Sequence, residues 1–168
     1  MHEMTIFSWS FCAERYAKGM VINMDTKQNL AIDRFHKGFN CAQAVISVFS
    51  AEYGLDEKTA LKVAGGLGGG FRSGDICGAV SGAVMVVGLK HGHCDDGDTE
   101  AKANCAAKTT EFLSKFKEKN DSIICRDLLG VDTSTDEGRK EAMERNLFRT
   151  KCDGLVKDAI SILEELGY

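Results

Sequence analysis

Apolar residues recur along this chain at helical spacing, and no run of strict alternation stands out. Leu30, Ala31 and Phe35 share one side of a segment from about Thr26 to His36, which Gly38 ends. Asn40 then reads as an N-cap, with Gln43 three residues on as its capping-box partner. Ala42, Val45, Ile46, Phe49 and Tyr53 form the stripe of a second helix, closed by Gly54. Asp56 caps a third, through Ala64. Six glycines between Gly65 and Gly74 predict a loop. Ser73 or Asp75 is expected to cap the next helix, which runs to about Lys90. An acidic loop, "HGHCDDGD", precedes a long helix from about Thr99 to Lys119 that carries Ala101, Cys105, Phe112 and Phe116 on one face. "DSIICRDLLG" predicts a short helix capped by Asp121 or Ser122. Arg139–Arg149 predicts a charged one. The last, Cys152 to Leu166, places Cys152, Leu155, Val156, Ala159, Ile160, Leu163 and Leu166 together before Gly167. These elements predict an all-α fold, one domain of six to eight helices over residues 26–168 with glycine-rich connections.

Composition narrows the picture. A chain of 168 residues without a single proline suits uninterrupted helices joined by glycine turns. The net charge of −4 comes with no basic stripe, so nucleic acid is not an expected partner. The longest apolar run, Ile76–Leu89, falls short of the roughly 20 residues of a membrane span. Residues 1–25 show no periodic apolar face, and their short patch from Met4 to Phe11 lacks the basic residues and cleavage site of a secretory signal. They read as a loose extension or a start-site artefact, with Met20 or Met24 as alternative starts, and the protein as cytoplasmic.

Seven cysteines are many for a cytosolic domain, and their odd number and wide spacing do not suggest a disulfide framework. Cys41, Cys77, Cys125 and Cys152 each fall at a predicted helix start, where unpaired N–H groups and the helix dipole favour a thiolate. Such a thiol serves as nucleophile, redox partner or metal ligand. Free cysteine is also among the most buried residue types, so each one alone is compatible with inert burial. Asp75 and Asp153, beside Cys77 and Cys152, oppose thiolate formation. Gly74, Gly78 and Gly82 recur every four residues on one helical face and predict a close helix crossing. Two further stretches compete for chemistry. His91, His93 and Cys94, followed by Asp95 and Asp96, offer zinc or copper ligand types. "GGLGGGFRSGD" follows a helix and lacks the lysine of a phosphate-binding P-loop.

"FHKGFNCAQAV", "GGLGGGF", "CGAVSGAVMVVGL", "CRDLLG" and "KCDGLV" occur in the order shown by the C_GCAxxG_C_C family of redox-active proteins, and the chain resembles that family from about Leu30 to Leu166. The resemblance implies four signature cysteines, which fall on Cys41, Cys77, Cys125 and Cys152, and a redox role often tied to oxidoreductase or transporter systems. Gly78, Ala79 and Gly82 match the small residues of its CGAxxG motif, and Gly78 and Gly82 are the expected cofactor-facing positions. Cys12, Cys94 and Cys105 fall outside it. The expected function is redox activity at the four cysteines, by thiol–disulfide exchange or by electron transfer through a cysteine-ligated iron–sulfur cluster, with an oxidoreductase as redox partner. Two alternatives stand beside it: a non-enzymatic zinc- or copper-binding protein whose metal ligands are the same four residues, and a helical interaction module with inert cysteines. A shared ion would make the four cysteines behave alike on substitution, whereas a working dithiol would sort them into pairs.

Overall fold

A computed structural model of the chain describes residues 26–168. The expected extension at residues 1–25, with Trp9, Phe11 and Cys12, lies outside the described residues. The elements in chain order are α1 (Lys27–His36), α2 (Cys41–Ser47), a 3-10 turn (Ser50–Tyr53), α3 (Glu57–Val63), an irregular turn (Gly70–Gly74), α4 (Gly78–His91), α5 (Thr99–Asn120), α6 (Cys125–Leu129), α7 (Asp136–Glu144), α8 (Leu147–Thr150) and α9 (Cys152–Glu165). The fold is all-α. Among the described residues the β pairing consists of one antiparallel bridge between Ile76 and Ile124. Among the described residues the α-helices number nine rather than six to eight, because short helices flank the glycine turns and the charged segment divides. Asn146, at φ 54°, breaks that segment between α7 and α8. The apolar stripe predicted from Ala42 to Tyr53 likewise bends at Val48, and its second half winds as the 3-10 turn.

Local chemistry sets the helix starts. Thr26, Asp56, Asp98 and Thr135 each accept a backbone N–H with the side chain at the N-cap. At α2 the capping box is complete: Asn40 Oδ1 accepts from Gln43 N at 2.9 Å, and Gln43 Oε1 accepts from Asn40 N at 2.9 Å. The same two amides reach across to α3. Asn40 Nδ2 donates to Ala64 O and Gly65 O, and Gln43 Nε2 donates to Leu61 O, so the start of α2 is pinned to the end of α3.

The core is built around α4. Its first six residues, Gly78 to Ala83, are all buried, and Val86 and Val87 follow. A helix apolar on every side must be covered on every side; α2, α5 and α9 pack against it. From α9 come Val156, Ala159, Ile160 and Leu163, and from α5 Phe112 and Phe116. A second, smaller cluster gathers Cys125, Leu129, Val131, Ala142, Leu147 and Cys152. Cys41 and Phe35 pack against both clusters, so the seam between them runs through the cysteines.

The glycine segment is not an irregular loop throughout. Gly69, Gly70, Phe71 and Arg72 are four consecutive residues at φ 64°, 61°, 55° and 61°, a left-handed turn. Glycine tolerates this region freely, but an L side chain there costs about 1–2 kcal/mol. Phe71 and Arg72 are thus held at a cost to stability. Arg72 is exposed and leaves little packing to lose. We expect Arg72→Gly to raise stability by about 1 kcal/mol after allowing for the looser unfolded chain. A urea midpoint at or below that of the native protein would show that the turn is not strained at this position.

Candidate functional site

Each of the four expected cysteines stands at a helix start. Cys41, Cys125 and Cys152 are the first residues of α2, α6 and α9. Cys77 occupies the N-cap position of α4, a role expected for Ser73 or Asp75. The N-cap of α6 is Ile124 rather than Asp121 or Ser122; Ser122 Oγ contributes by accepting from Ile124 N at 3.0 Å.

Three joints bring these starts together. The first is the short bridge. Cys77 N donates to Ile123 O at 2.8 Å and Cys125 N donates to Asp75 O at 2.6 Å, which fastens the α4 and α6 starts side by side. Arg126 reinforces it from outside through an ion pair with Asp75 at 2.5 Å. The second joint is the α2–α4 crossing. A Cβ placed on Gly78 would lie 3.1 Å from Cys41 Cβ and 3.2 Å from Ala42 N, so the absent side chain lets Cys41 sit against the start of α4. The third ties α1 to α9: His36 Nε2 meets Asp153 Oδ2 at 2.8 Å, next to Cys152.

All four cysteines line one cavity of about 210 Å³. Cys77, Cys125 and Cys152 are buried, at 3%, 6% and 5% exposure, while Cys41 keeps some surface. Its walls are largely apolar, with Phe35, Leu129, Met143 and Phe148, and Gly78 forms part of them. Gly82 lies one turn further along α4, at the helix crossing. Two arginines, Arg72 and Arg139, also line it, as does Thr133. The Thr133 side chain is buried. It stands close enough to Cys125 to favour that thiolate, yet Oγ1 makes no well-formed hydrogen bond with any described residue. The sequence did not point to these three. Arg72 owes its place to the left-handed turn, and Thr133 and Arg139 arrive from a loop and a charged helix that carry no distinguishing pattern.

Electrostatics in the cavity reverse one expectation. Helix starts were expected to lower the thiol pKa values; three of the four are instead raised. For Cys41 the largest cause is a hydrogen bond with the Cys152 thiol, followed by burial, and the value is pushed well above the ordinary 9.0. Cys41 keeps intermediate exposure as a residue, while its thiol is surrounded closely enough for burial to count. Burial, then the neighbouring Cys41, pushes Cys77 up to about 12 against the pull of the Ala79 and Val80 N–H groups. Burial, and again Cys41, pushes Cys125 up to about 11, with Thr133 opposing. Desolvation and thiol crowding outweigh the helix termini because a buried thiolate loses more hydration than two or three N–H dipoles restore.

The raised values imply a pH dependence. A thiol with a folded pKa above its unfolded value holds its proton more tightly when folded. It therefore supports the fold below pH 9, and that support is lost as pH climbs through about 11 to 12. Alkylation of Cys77 and Cys125 by iodoacetamide, followed peptide by peptide, is expected to keep accelerating beyond pH 10. A plateau below pH 9 would contradict the burial account.

The histidine loop does not assemble. His91 ends α4 and packs edge-on against Tyr168, with ring centroids 5.6 Å apart, while His93 and Cys94 are exposed. Burial lowers the His91 pKa, with Lys90 and Lys108 adding to it. Cys105 packs against the main core, away from the cavity.

Comparison with known proteins gives one match. Residues 39–166 match the family model described as "Putative redox-active protein (C_GCAxxG_C_C)". The chain belongs to the C_GCAxxG_C_C family. The matched span of this C_GCAxxG_C_C protein contains all four cavity cysteines, both arginines and the left-handed turn. No curated protein and no solved structure matches the chain. Among the described residues no helix is long and apolar enough to cross a membrane.

Proposed function

We propose that this protein carries out thiol–disulfide exchange, with Cys41 and Cys152 as the reacting pair and Cys77 and Cys125 as a second couple behind it. The observation that carries this reading is that the Cys41 and Cys152 thiols share one cavity with the other two, Cys152 standing near enough to Cys41 to be the largest influence on its pKa. Cys41 is the least buried of the four residues. Its thiolate attacks one sulfur of a disulfide, the S–S bond breaks, and one thiolate departs. Cys152, giving up its proton, attacks the Cys41 sulfur and expels the second thiolate. The substrate gains two electrons and two protons, and the protein gains the Cys41–Cys152 disulfide. Cys77 lies beside Cys41 and can attack that sulfur in turn, releasing Cys152. Cys125 then closes on Cys77 and releases Cys41, which moves the disulfide inward and frees the first pair. A small dithiol reductant, itself regenerated by an oxidoreductase partner, returns the electrons. Six free thiols among the described residues suit the reducing cytoplasm.

Four thiolates are also suitable donors for zinc or an iron–sulfur cluster. However, no three His, Cys, Asp or Glu side chains among the described residues are grouped to hold a metal ion. The pairing of Cys41 with Cys152 favours exchange. Limited oxidation of the anaerobically purified protein with a small disulfide, followed by peptide mapping, is the test. The Cys41–Cys152 disulfide is expected first and Cys77–Cys125 second. Stoichiometric metal or a visible absorption band in the fresh protein, with no thiol reacting, would replace this reading with the metal one.

A further inference from the structure

The cavity says more about what reaches the thiols than the cysteines themselves do. Three of the four sulfurs are buried, so a folded protein's disulfide cannot be laid against them. The way in is a space of about 210 Å³, smaller than the roughly 300–1,000 Å³ of pockets for drug-sized ligands. Its lining includes two guanidinium groups, Arg72 and Arg139, and no carboxylate side chain. Neither arginine makes a salt bridge to a described residue; Arg139 Nη2 donates only to Thr133 O, at 3.2 Å. Thr133 itself is 5% exposed and lines the cavity with a hydroxyl lacking a well-formed partner. A buried hydroxyl in that state calls for an acceptor or donor from a bound group. Arg72, finally, is kept in the left-handed region, where glycine would sit without strain and three neighbouring glycines already do. Strain held at a cavity wall points to use of the side chain there.

We infer that the exchange substrate is a small organic disulfide bearing a carboxylate, with Arg72 and Arg139 holding the carboxylate and the apolar walls its short chain. The inference rests on the proposed exchange at Cys41 and Cys152 and adds the class of molecule. Guanidinium groups match a carboxylate in shape as well as charge. The Thr133 hydroxyl lies within the same cavity and donates to the bound group.

Three disulfides of similar size but different charge test this: dithiodiglycolate, bis(2-hydroxyethyl) disulfide and cystamine. The second-order rate of thiol oxidation in the full chain is measured with each. Every rate is divided by that of dithiothreitol with the same compound, which removes intrinsic reactivity. The native protein is expected to prefer dithiodiglycolate over the neutral disulfide by about tenfold, the factor one charge-assisted hydrogen bond supplies, and to disfavour cystamine. In Arg72→Gln the ratio of anionic to neutral rates should fall towards one, and Arg139→Gln should lower it too. Equal normalised rates for all three compounds would overturn the substrate class while leaving exchange intact, as would a preference surviving both substitutions. Thiols that none of the three oxidises would overturn exchange and the substrate class together.

Discussion

Cys41→Ser is expected to slow oxidation of the remaining cavity thiols by a small disulfide ~100-fold or more, because it removes the least buried of the four cavity cysteines. The other three substitutions should not copy it. Cys152→Ser leaves Cys41 able to attack but removes the thiol that resolves the intermediate, so a mixed disulfide on Cys41 should accumulate and be visible by mass. Cys77→Ser and Cys125→Ser should still form the Cys41–Cys152 disulfide and lose only the second oxidation. Cys94→Ser and Cys105→Ser lie away from the cavity and should match the native protein. This sorting separates exchange from the alternatives. Four thiolates on a single ion would give four equivalent losses, with bound metal as the readout. Inert cysteines would give four variants indistinguishable from the native protein in thiol reactivity.

Gly82→Leu should destabilise the fold by about 3 kcal/mol or more, enough to unfold a marginal domain. Even a single added methyl would lie 2.6 Å from Ala42 O and 2.9 Å from Ala42 Cα. Those atoms belong to the backbone of α2 and cannot swing aside as a side-chain end can. Separating α2 from α4 would also draw Cys41 away from Cys77, so thiol oxidation should change along with stability. Gly82→Ala is the milder version: it gains about 1 kcal/mol of helix propensity but still meets the same backbone, and it should come out destabilising. Thermal unfolding of both variants checks the account. A Gly82→Leu protein that melts with the native one would mean the helices are not held at this distance.

Much of the local structure was legible because it rests on short-range physics. The Asn40–Gln43 capping box, the Asp56 cap and the four helix-start cysteines each depend on residues within one turn of chain. The glycine spacing along α4 identified the helix face that needs a close partner, and α2 is that partner. The caps of α4 and α6 were misplaced because a tertiary bridge fixes them: Cys77 N and Cys125 N satisfy their hydrogen bonds across to residues about fifty positions away, so no nearby side chain is required. The glycine loop was read only as a breaker of structure. Its left-handed path through Phe71 and Arg72 opposes the preference of those residues, so propensity alone points away from it.

The sequence by itself determined the all-α class, the place of each signature cysteine at a helix start and the C_GCAxxG_C_C family. These follow from apolar periodicity, capping chemistry and motif order, all carried by residues near in the chain. The tertiary structure alone decided that the four thiols share one cavity, that Cys152 stands near enough to Cys41 to shift its pKa, and that Arg72, Arg139 and Thr133 join them. It also decided the sign of the thiol pKa shifts. A helix terminus acts over a few ångströms and can be read from sequence, whereas burial depends on which distant helices close over the sulfur, and here burial is the stronger of the two.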